Sequence, residues 1–289
     1  MLSGTAAVVS KTISAPIERV KMVVQNQDEM LRKGTLSERL NVVGAFQWIA
    51  KNEGVGAFWK SNFTNCLRYF PTQALNFSFK GFVKDMGLKP GKGDGYGASL
   101  AKNIAGGGIA GGGSLTFVYS LDYARTRLSN DLKGKDGGKR EFNGLADVYR
   151  KTYAADGIAG LYRGFNISFV GIFIYRGLYF GMYDSAKAIM PEDTGVTVKF
   201  LVGYAVTVLS GLASYPIDTI RRRMMMTSGS KELQYKNSFD ATKQIFQQEG
   251  AMSFMKGAGA NILRGVAGAG VLSGFDVLKT AYTDWKFGN

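Results

Sequence analysis

The sequence predicts an all-α membrane protein in which one helical unit is used three times. Three apolar runs each end in an acid that is followed three residues later by a base, and the corresponding positions are Pro16, Ser120 and Pro216. A second marker, an acid followed by Gly, comes 37, 36 and 33 residues after these positions. Two markers that recur in step indicate a repeat of about 100 residues. We therefore expect a single transmembrane domain made of three pseudo-threefold repeats, 1–92, 93–193 and 194–289.

Five weakly charged stretches alternate with segments that carry most of the Lys and Arg, and the more highly charged stretch 2–24 makes a sixth apolar run. Each is close to the roughly 20 residues that an α-helix needs to cross a bilayer. The first contains Lys11, Glu18 and Lys21. Because charge in hydrocarbon is costly, we expect the helices to line an aqueous interior. The predicted transmembrane helices are 2–24, 67–83, 99–118, 166–182, 197–217 and 261–277.

Each repeat also has a short amphipathic segment between its two long helices, at 42–51, 145–155 and 241–248. These segments are too short to span a bilayer, so we expect them to lie on its surface. The Gly after each acid predicts where these helices end. Pro16 and Pro216 predict kinks, because proline removes a backbone donor and clashes with the preceding turn. The six glycines of the third long helix predict close helix contacts.

The composition argues against several classes of protein. The 289-residue chain has no His and one Cys. The usual acid/base catalyst near neutral pH is therefore missing, and neither a multi-cysteine metal site nor an internal disulfide can form. We expect no enzyme, no cofactor and no metal. The net charge of +14 suits an anionic solute, anionic lipid or nucleic acid. A soluble basic nucleic-acid-binding protein is a remote alternative, because it does not explain six apolar stretches, so we expect no nucleic-acid partner.

The repeated motifs resemble those of the mitochondrial carrier family over the whole chain. Each acid-Gly pair is followed by a short motif in which two aromatic or aliphatic residues precede a base, at 58–60, 161–164 and 254–257. Within the family, segments 68–77 and 120–122 are similar to the ADP/ATP carriers. The signature of these carriers is similar to a hexapeptide of this chain, Arg221-Arg222-Arg223-Met224-Met225-Met226.

The resemblance implies a monomeric, multi-pass antiporter of the mitochondrial inner membrane, with ADP and ATP as substrates. It places the short helices on the matrix side. Such a carrier works by alternating access between two gates and needs no covalent step. Two alternatives remain within the family. One is a carrier of the same fold for another adenine nucleotide or a coenzyme, and the other is a proton leak pathway.

The resemblance also implies a matrix gate, a ring of ion pairs between neighbouring repeats. Six charges in hydrocarbon need partners, and three reciprocal pairs leave no charge over. The implied ring consists of Glu18 with Arg125, Asp122 with Arg221, and Asp218 with Lys21, with Gln25 as a hydrogen-bonding brace.

A cytoplasmic gate of the pattern aromatic-acid-x-x-base is implied for the even helices. Two repeats fit the pattern, with Tyr183, Asp184 and Lys187 in one and Phe275, Asp276 and Lys279 in the other. The first repeat departs from it, because Gly81 stands where the acid belongs. We predict that Lys84 pairs with Asp276, that Asp184 pairs with Lys279, and that Lys187 loses its acid partner.

Contacts to an asymmetric ligand are expected where the repeats differ. Fifteen residues after the acid of each acid-Gly pair stand Arg68, Gly171 and Arg264. Lys11 is a third base without a basic counterpart in the other repeats. Arg and Lys at mid-membrane depth indicate function and suit a polyphosphate, since Arg supplies a bidentate fork and Lys a point charge.

An apolar slot for the base of a nucleotide is predicted beside these cations. Tyr175 and Tyr179 share one helix face near Gly171 and Ile172, where an aromatic plane can stack on a ring. Lipid-facing aromatics are the alternative. Further candidates for ligand contact are Asn76, Arg176 and Arg222, and the resemblance adds Ser214.

Cardiolipin is the lipid partner that the resemblance implies, bound where short and even helices begin. Backbone N–H groups at a helix N-terminus can bind its phosphates. Packing of the aromatics within the protein is the alternative. The expected residues are Trp59, Tyr162, Arg163, Gly164, Lys256 and Gly257.

Overall fold

The computed structural model describes residues 2–91, 93–133, 140–191, 194–229, 235–263 and 265–266. This part of the chain is mostly helical and contains no strand, so the prediction of helices alone is confirmed for it. Its helices are α1 (Leu2–Arg32), α2 (Val42–Glu53), α3 (Asn62–Asp85), α4 (Tyr96–Asn130), α5 (Leu145–Leu161), α6 (Phe165–Ile189), α7 (Val196–Met226) and α8 (Ser238–Glu249).

The long helices extend beyond the apolar stretches that predict them. For example, α4 has 35 residues, although its apolar stretch ends at Val118. The helix continues because its polar end is buried: Arg127 and Asn130 are each at most 4% exposed. Hydropathy marks the apolar part of such a helix and misses this end. Of the sixth predicted helix, the described residues include 261–263 and 265–266, which are helical.

Local caps explain the bounds of the short helices. Asn41 and Asn237 precede α2 and α8, and each side chain accepts a backbone N–H from three residues ahead, at 2.6 and 2.8 Å. These helices end at Gly54 and Gly250, which have φ values of 85° and 79°. Gly157 interrupts α5 in the same way, with φ 63°. Positive φ favours Gly because it has no Cβ, and the acid-Gly pairs are confirmed as helix stops.

The chain divides into two units. Unit 1 lies within Met1–Leu67, Arg125–Leu145 and Lys256–Asn289, and unit 2 lies within Arg68–Ala124 and Ala146–Met255. Each unit therefore combines segments from all three predicted repeats.

Two helices of the described part are long and apolar enough to cross a membrane by length and composition. They are Phe165–Lys187, within α6, and Thr197–Met226, within α7.

Glycines of α4 allow very close contact with α6 in unit 2. A Cβ atom added at Gly108 would lie 2.2 Å from Phe173 Cε1. One added at Gly112 would lie 2.3 Å from Phe169 Cε2. Real Cβ atoms do not approach other atoms so closely, so the two phenyl rings occupy the space that Gly leaves free. The prediction of close contacts along this helix is confirmed.

Replacement of Gly112 by Ala should therefore destabilise the protein, although Ala is the better helix former. We expect a loss of about 1–3 kcal/mol from overpacking. Gly181→Ala in α6 is the control, because no atom lies within 4 Å of its added Cβ. That variant should be neutral or gain up to about 1 kcal/mol. Thermal unfolding in detergent measures both, and equal effects would contradict the packing argument.

Candidate functional site

A cavity of about 340 Å³ lies in unit 2, between α3, α4, α6 and α7. It is open enough to admit a solute and combines cationic, hydroxyl and apolar groups. Seven of the residues predicted to bind substrate line it, namely Arg68, Asn76, Gly171, Ile172, Tyr175, Arg176 and Ser214.

Helical spacing brings these side chains together. Arg68 and Asn76 are separated by about two turns of α3, and Tyr175 follows Gly171 by four residues on α6, so each pair shares a face. Gly171 also admits its neighbour closely, because an added Cβ would lie 2.8 Å from Ile217 Cγ2. The space expected to hold a ring beside Gly171 is thus partly filled by Ile217 of α7.

The face of α4 that lines the cavity was missed by the sequence reasoning. Gly111, Ser114, Leu115 and Val118 line the cavity at helical spacing. Ser114 Oγ lies 2.8 Å from Asn76 Oδ1, which orients that amide. Leu115 corresponds to Lys11 in the repeat, and this correspondence was the available signal. Thr72, Ser168 and Ile217 complete the lining that was not predicted.

In unit 2 the predicted gate pair of Asp122 and Arg221 is formed, with Arg221 Nη1 3.3 Å from Asp122 Oδ2. Arg68 Nη1 lies 3.7 Å from the other oxygen of the same carboxylate. Asp122 is only 3% exposed, and a buried carboxylate needs such partners. Arg68 and Arg221 both line the cavity, so the carboxylate that is predicted to belong to the gate is shared by two residues of the cavity wall.

In unit 1 the predicted pair of Glu18 and Arg125 is also formed. Asn65 of α3 donates from Nδ2 to Glu18 Oε2 at 2.9 Å. The side chains of Glu18 and Arg125 are 19% and 5% exposed. This acid is therefore held both by its gate partner and by the start of α3.

The third pair of the ring, Asp218 with Lys21, stays a prediction. Lys21 belongs to unit 1, where its ammonium group donates to Asn261 Oδ1 at 2.9 Å. Asp218 belongs to unit 2, where it accepts from Arg221 Nη2 at 2.9 Å and from Arg222 Nε at 2.8 Å. Gln25, the predicted brace, is fully buried.

The signature hexapeptide contributes mainly to packing and ion pairing. Arg221 is its one member that lines the cavity. Arg222 does not line the cavity and instead pairs with Asp218. Arg223 makes two hydrogen bonds of 2.9 Å to Glu249. Met224, Met225 and Met226 are buried. The ligand role predicted for Arg222 is therefore not supported by a position on this cavity.

The three tyrosines of α6 form a continuous stack. The ring centroids of Tyr175 and Tyr179 are 6.2 Å apart, with planes 21° from parallel. Tyr179 and Tyr183 are 6.0 Å apart, at 5°. Tyr175 lines the cavity, and the other two rings continue the stack along the same helix face.

A second cavity of about 500 Å³ adjoins this region in unit 2 and shares Asn76, Gly111 and Arg176 with the first. Lys84, a predicted residue of the cytoplasmic gate, and Lys102 line it. Lys102 Nζ lies 2.8 Å from Asp94. The pKa of Asp94 is lowered by the N–H of Gly91 and then by Lys102, so this carboxylate is ionised near neutral pH.

Part of the predicted site lies outside the described residues, namely Arg264, Phe275, Asp276 and Lys279. Asp184 and Lys187 are described on α6. No ion pair joins either of them to another residue of the described part. Gly81 is exposed, and no atom lies within 4 Å of an added Cβ.

The residues predicted to bind lipid have partners within the protein. Trp59 Nε1 donates to the Thr12 carbonyl at 2.8 Å, and Tyr162 Oη donates to the Thr116 carbonyl at 2.9 Å. Arg163 donates to the Tyr235 carbonyl at 2.8 Å, and Lys256 pairs with Asp28. Gly164 and Gly257 have φ values of 82° and 84° and precede helical segments.

Removal of one charge from the Glu18–Arg125 pair should be costly. Glu18→Gln leaves a buried guanidinium without its acid, which we expect to cost about 3 kcal/mol. The double variant with Arg125→Gln should be less destabilised than Glu18→Gln alone. The control is Asp147→Asn, whose partners Arg150 and Lys151 are 80% and 46% exposed; it should cost under about 1 kcal/mol. Thermal unfolding measures all of these, and additive losses would refute the pairing.

Comparison with known proteins places the chain in a family. The family model described as mitochondrial carrier protein matches residues 1–90, 97–194 and 192–285. The ADP,ATP carrier protein of Schizosaccharomyces pombe is 59% identical over 293 residues, which cover 99% of this chain and 90% of that protein. The ADP,ATP carrier protein 1, mitochondrial, of Triticum aestivum is 57% identical over 295 residues, covering 100% of this chain and 88% of the relative. This chain therefore belongs to the mitochondrial carrier family.

Proposed function

We propose that this chain exchanges ADP for ATP across the mitochondrial inner membrane by alternating access. Its relatives named ADP,ATP carriers match it over essentially the whole length. The observation that carries the proposal is the cavity in unit 2, where Arg68 contacts both the solute space and the gate acid Asp122.

The proposed membrane topology has six spans in three repeats, 1–92, 93–193 and 194–289, each with a short helix on the matrix side. Support comes from the five long helices of the described part and from the two that are apolar enough to cross a bilayer. The sixth span corresponds to 261–277, whose first described residues are helical. The chain is proposed to act as a monomer.

The cations of the cavity suit the phosphates of a nucleotide. Arg68 and Arg176 present guanidinium groups to a space of about 340 Å³, within the usual range of small-molecule sites. Arginine binds phosphate through bidentate, charge-assisted hydrogen bonds. Lys11 and Arg264 are proposed to complete the cationic set.

The apolar wall of the cavity suits the base. Ile172 and Tyr175 line it together with Ile217, and Tyr179 stacks behind Tyr175. Asn76, Ser114 and Ser214 supply amide and hydroxyl groups nearby. A flat ring can therefore stack on an aromatic plane while its edge forms hydrogen bonds.

Coupling to the matrix gate follows from the sharing of Asp122. A phosphate that binds Arg68 and Arg221 competes with this carboxylate for both guanidinium groups. The interaction free energy of the ligand is then spent partly on separating the gate pair, which shifts the population toward the other state. We infer a closed matrix gate and hence a cytoplasm-open state, and the pairs of Asp122 with Arg221 and of Glu18 with Arg125 support this inference.

We also propose that cardiolipin binds at the matrix side, near Trp59, Tyr162, Arg163, Gly164, Lys256 and Gly257. One supporting feature is a cavity in unit 2 of about 290 Å³ that Arg163 and Lys236 line. Another is a cavity in unit 1 of about 350 Å³ lined by Lys60 and Arg140. Burial lowers the pKa of Lys60 to about 8, although Asp131 opposes this change. An anionic headgroup would favour the charged ammonium, as Asp131 does.

Counter-exchange of radiolabelled ADP and ATP in liposomes tests the proposed function. Arg68→Ala, Lys11→Ala and Arg264→Ala should each slow exchange by roughly 10- to 100-fold, since each removes a charged hydrogen-bond donor. The control is Arg150→Ala, because that side chain is 80% exposed on α5. Absence of exchange with both nucleotides would refute the proposal. Exchange of another nucleotide or coenzyme, or proton flux alone, would instead support the alternatives within the family.

Restoration of an acid at Gly81 tests the predicted incomplete cytoplasmic gate. Gly81→Asp should add a link to Lys187 and stabilise the closed cytoplasmic side. An inhibitor selective for the cytoplasm-open state should then bind about two- to fivefold more weakly, as for a partly exposed ion pair. Gly81→Asn, of similar size without charge, is the control. An unchanged affinity for Gly81→Asp, or an equal loss for both variants, would contradict the prediction.

A further inference from the structure

Proline at position 16 leaves one backbone carbonyl of α1 without its usual donor. Pro16 has no N–H, so the carbonyl of Thr12, four residues earlier, cannot receive the helical hydrogen bond. An unsatisfied carbonyl in an apolar environment is costly. Trp59 supplies the missing donor, because its indole Nε1 lies 2.8 Å from Thr12 O. This residue ends the 3₁₀ segment Val55–Trp59, immediately before α3.

Two further contacts in unit 1 join the start of α3 to α1, one before Pro16 and one after it. Asn62 Nδ2 donates to Thr12 Oγ1 at 3.0 Å. Asn65 Nδ2 donates to Glu18 Oε2 at 2.9 Å. Trp59, Asn62 and Asn65, which we call the α1 brace, thus hold α1 on both sides of Pro16. The last of these contacts reaches the gate acid itself.

The second repeat shows the same contact without the same need. Tyr162 Oη donates to Thr116 O at 2.9 Å in unit 2. Thr116 stands four residues before Ser120, which keeps its backbone N–H and can donate to the same carbonyl. The third repeat has Pro216 but carries Met255 at the aromatic position, and Met has no hydrogen-bond donor. Of the two repeats that have this contact, only the first lacks a backbone N–H that could replace it.

We propose that Trp59 is a positioning residue for the matrix gate. By satisfying the carbonyl that Pro16 frees, its indole N–H fixes the proline turn of α1 and so holds Glu18, two residues further on, against Arg125. The inference rests on the proposed function for its effect on exchange. The ring is 39% exposed, so Trp59 acts here through one hydrogen bond and not through core packing.

A double-variant cycle isolates this hydrogen bond. Trp59→Phe removes the donor and keeps an aromatic ring, while Pro16→Ser restores a backbone N–H to α1. We expect Trp59→Phe to weaken binding of an inhibitor selective for the cytoplasm-open state by about three- to tenfold, the equivalent of one hydrogen bond. It should lower the maximal ADP/ATP exchange rate to a similar extent. In the Pro16→Ser background, Trp59→Phe should change either quantity by less than about twofold.

Tyr162→Phe is the matched control. It removes the donor to the Thr116 carbonyl, but the backbone N–H of Ser120 can still donate to that carbonyl. Its effect should be smaller than that of Trp59→Phe. Equal effects of Trp59→Phe in both backgrounds would overturn the proposal, and so would no effect in the Pro16 background. If Trp59→Phe fails to fold, recovery of folding by Pro16→Ser supports it and failure of both variants overturns it.

Thermal unfolding of the four proteins of this cycle tests the role of Trp59 independently of the proposed ADP/ATP exchange. If the chain exchanges neither ADP nor ATP, the proposed function fails, yet the unfolding midpoints still report on the brace. Trp59→Phe should lower the midpoint in the Pro16 background and leave it nearly unchanged in the Pro16→Ser background. Equal shifts in both backgrounds would refute the hydrogen bond as the cause.

Discussion

The need to pair buried charge is the constraint on which the rest of the structure depends. Asp122 is nearly inaccessible and lies between two guanidinium groups, Arg221 at 3.3 Å and Arg68 at 3.7 Å. Removing either base would leave this buried carboxylate with only one of its two guanidinium partners, which is costly. We propose that a nucleotide separates these groups, because its phosphates offer the same kind of charge to the same arginines. The proposed gate would then respond to its ligand through exchange of one anion for another.

The same constraint accounts for the acids of the first and third acid-Gly pairs. In unit 1, Glu53 lies 2.7 Å from Arg19, the residue that follows the gate acid Glu18. In unit 2, Glu249 pairs with Arg223 at the end of α7. The side chains of Glu53 and Glu249 are 0% and 6% exposed. These acids stop no helix by themselves; they hold the surface helix to the long helix before it, while the Gly provides the stop.

Periodicity and spacing were sufficient to predict the helices and many of the residues that line the cavity. Arg68 and Gly171 were found by counting from the acid-Gly pairs, because equivalent positions in a repeat reach equivalent depths. Counting could not show that Ile217 fills the space beside Gly171, since that contact depends on how closely two helices approach. Nor could it show that Arg68 shares Asp122, because a side chain with several rotatable bonds selects its partner only in three dimensions.

Differences between repeats have two physical origins, and only one of them concerns the ligand. Arg68 and Gly171 differ at a depth where both residues line the cavity, so their difference suits an asymmetric solute. Trp59 and Tyr162 differ from Met255 at a position where the indole or phenol group donates to a backbone carbonyl. Whether that carbonyl needs a donor depends on the residue four positions later, which is Pro in one repeat and Ser in another. Broken symmetry therefore indicates a ligand site only for side chains that face the solute, and elsewhere it reflects how the backbone is satisfied.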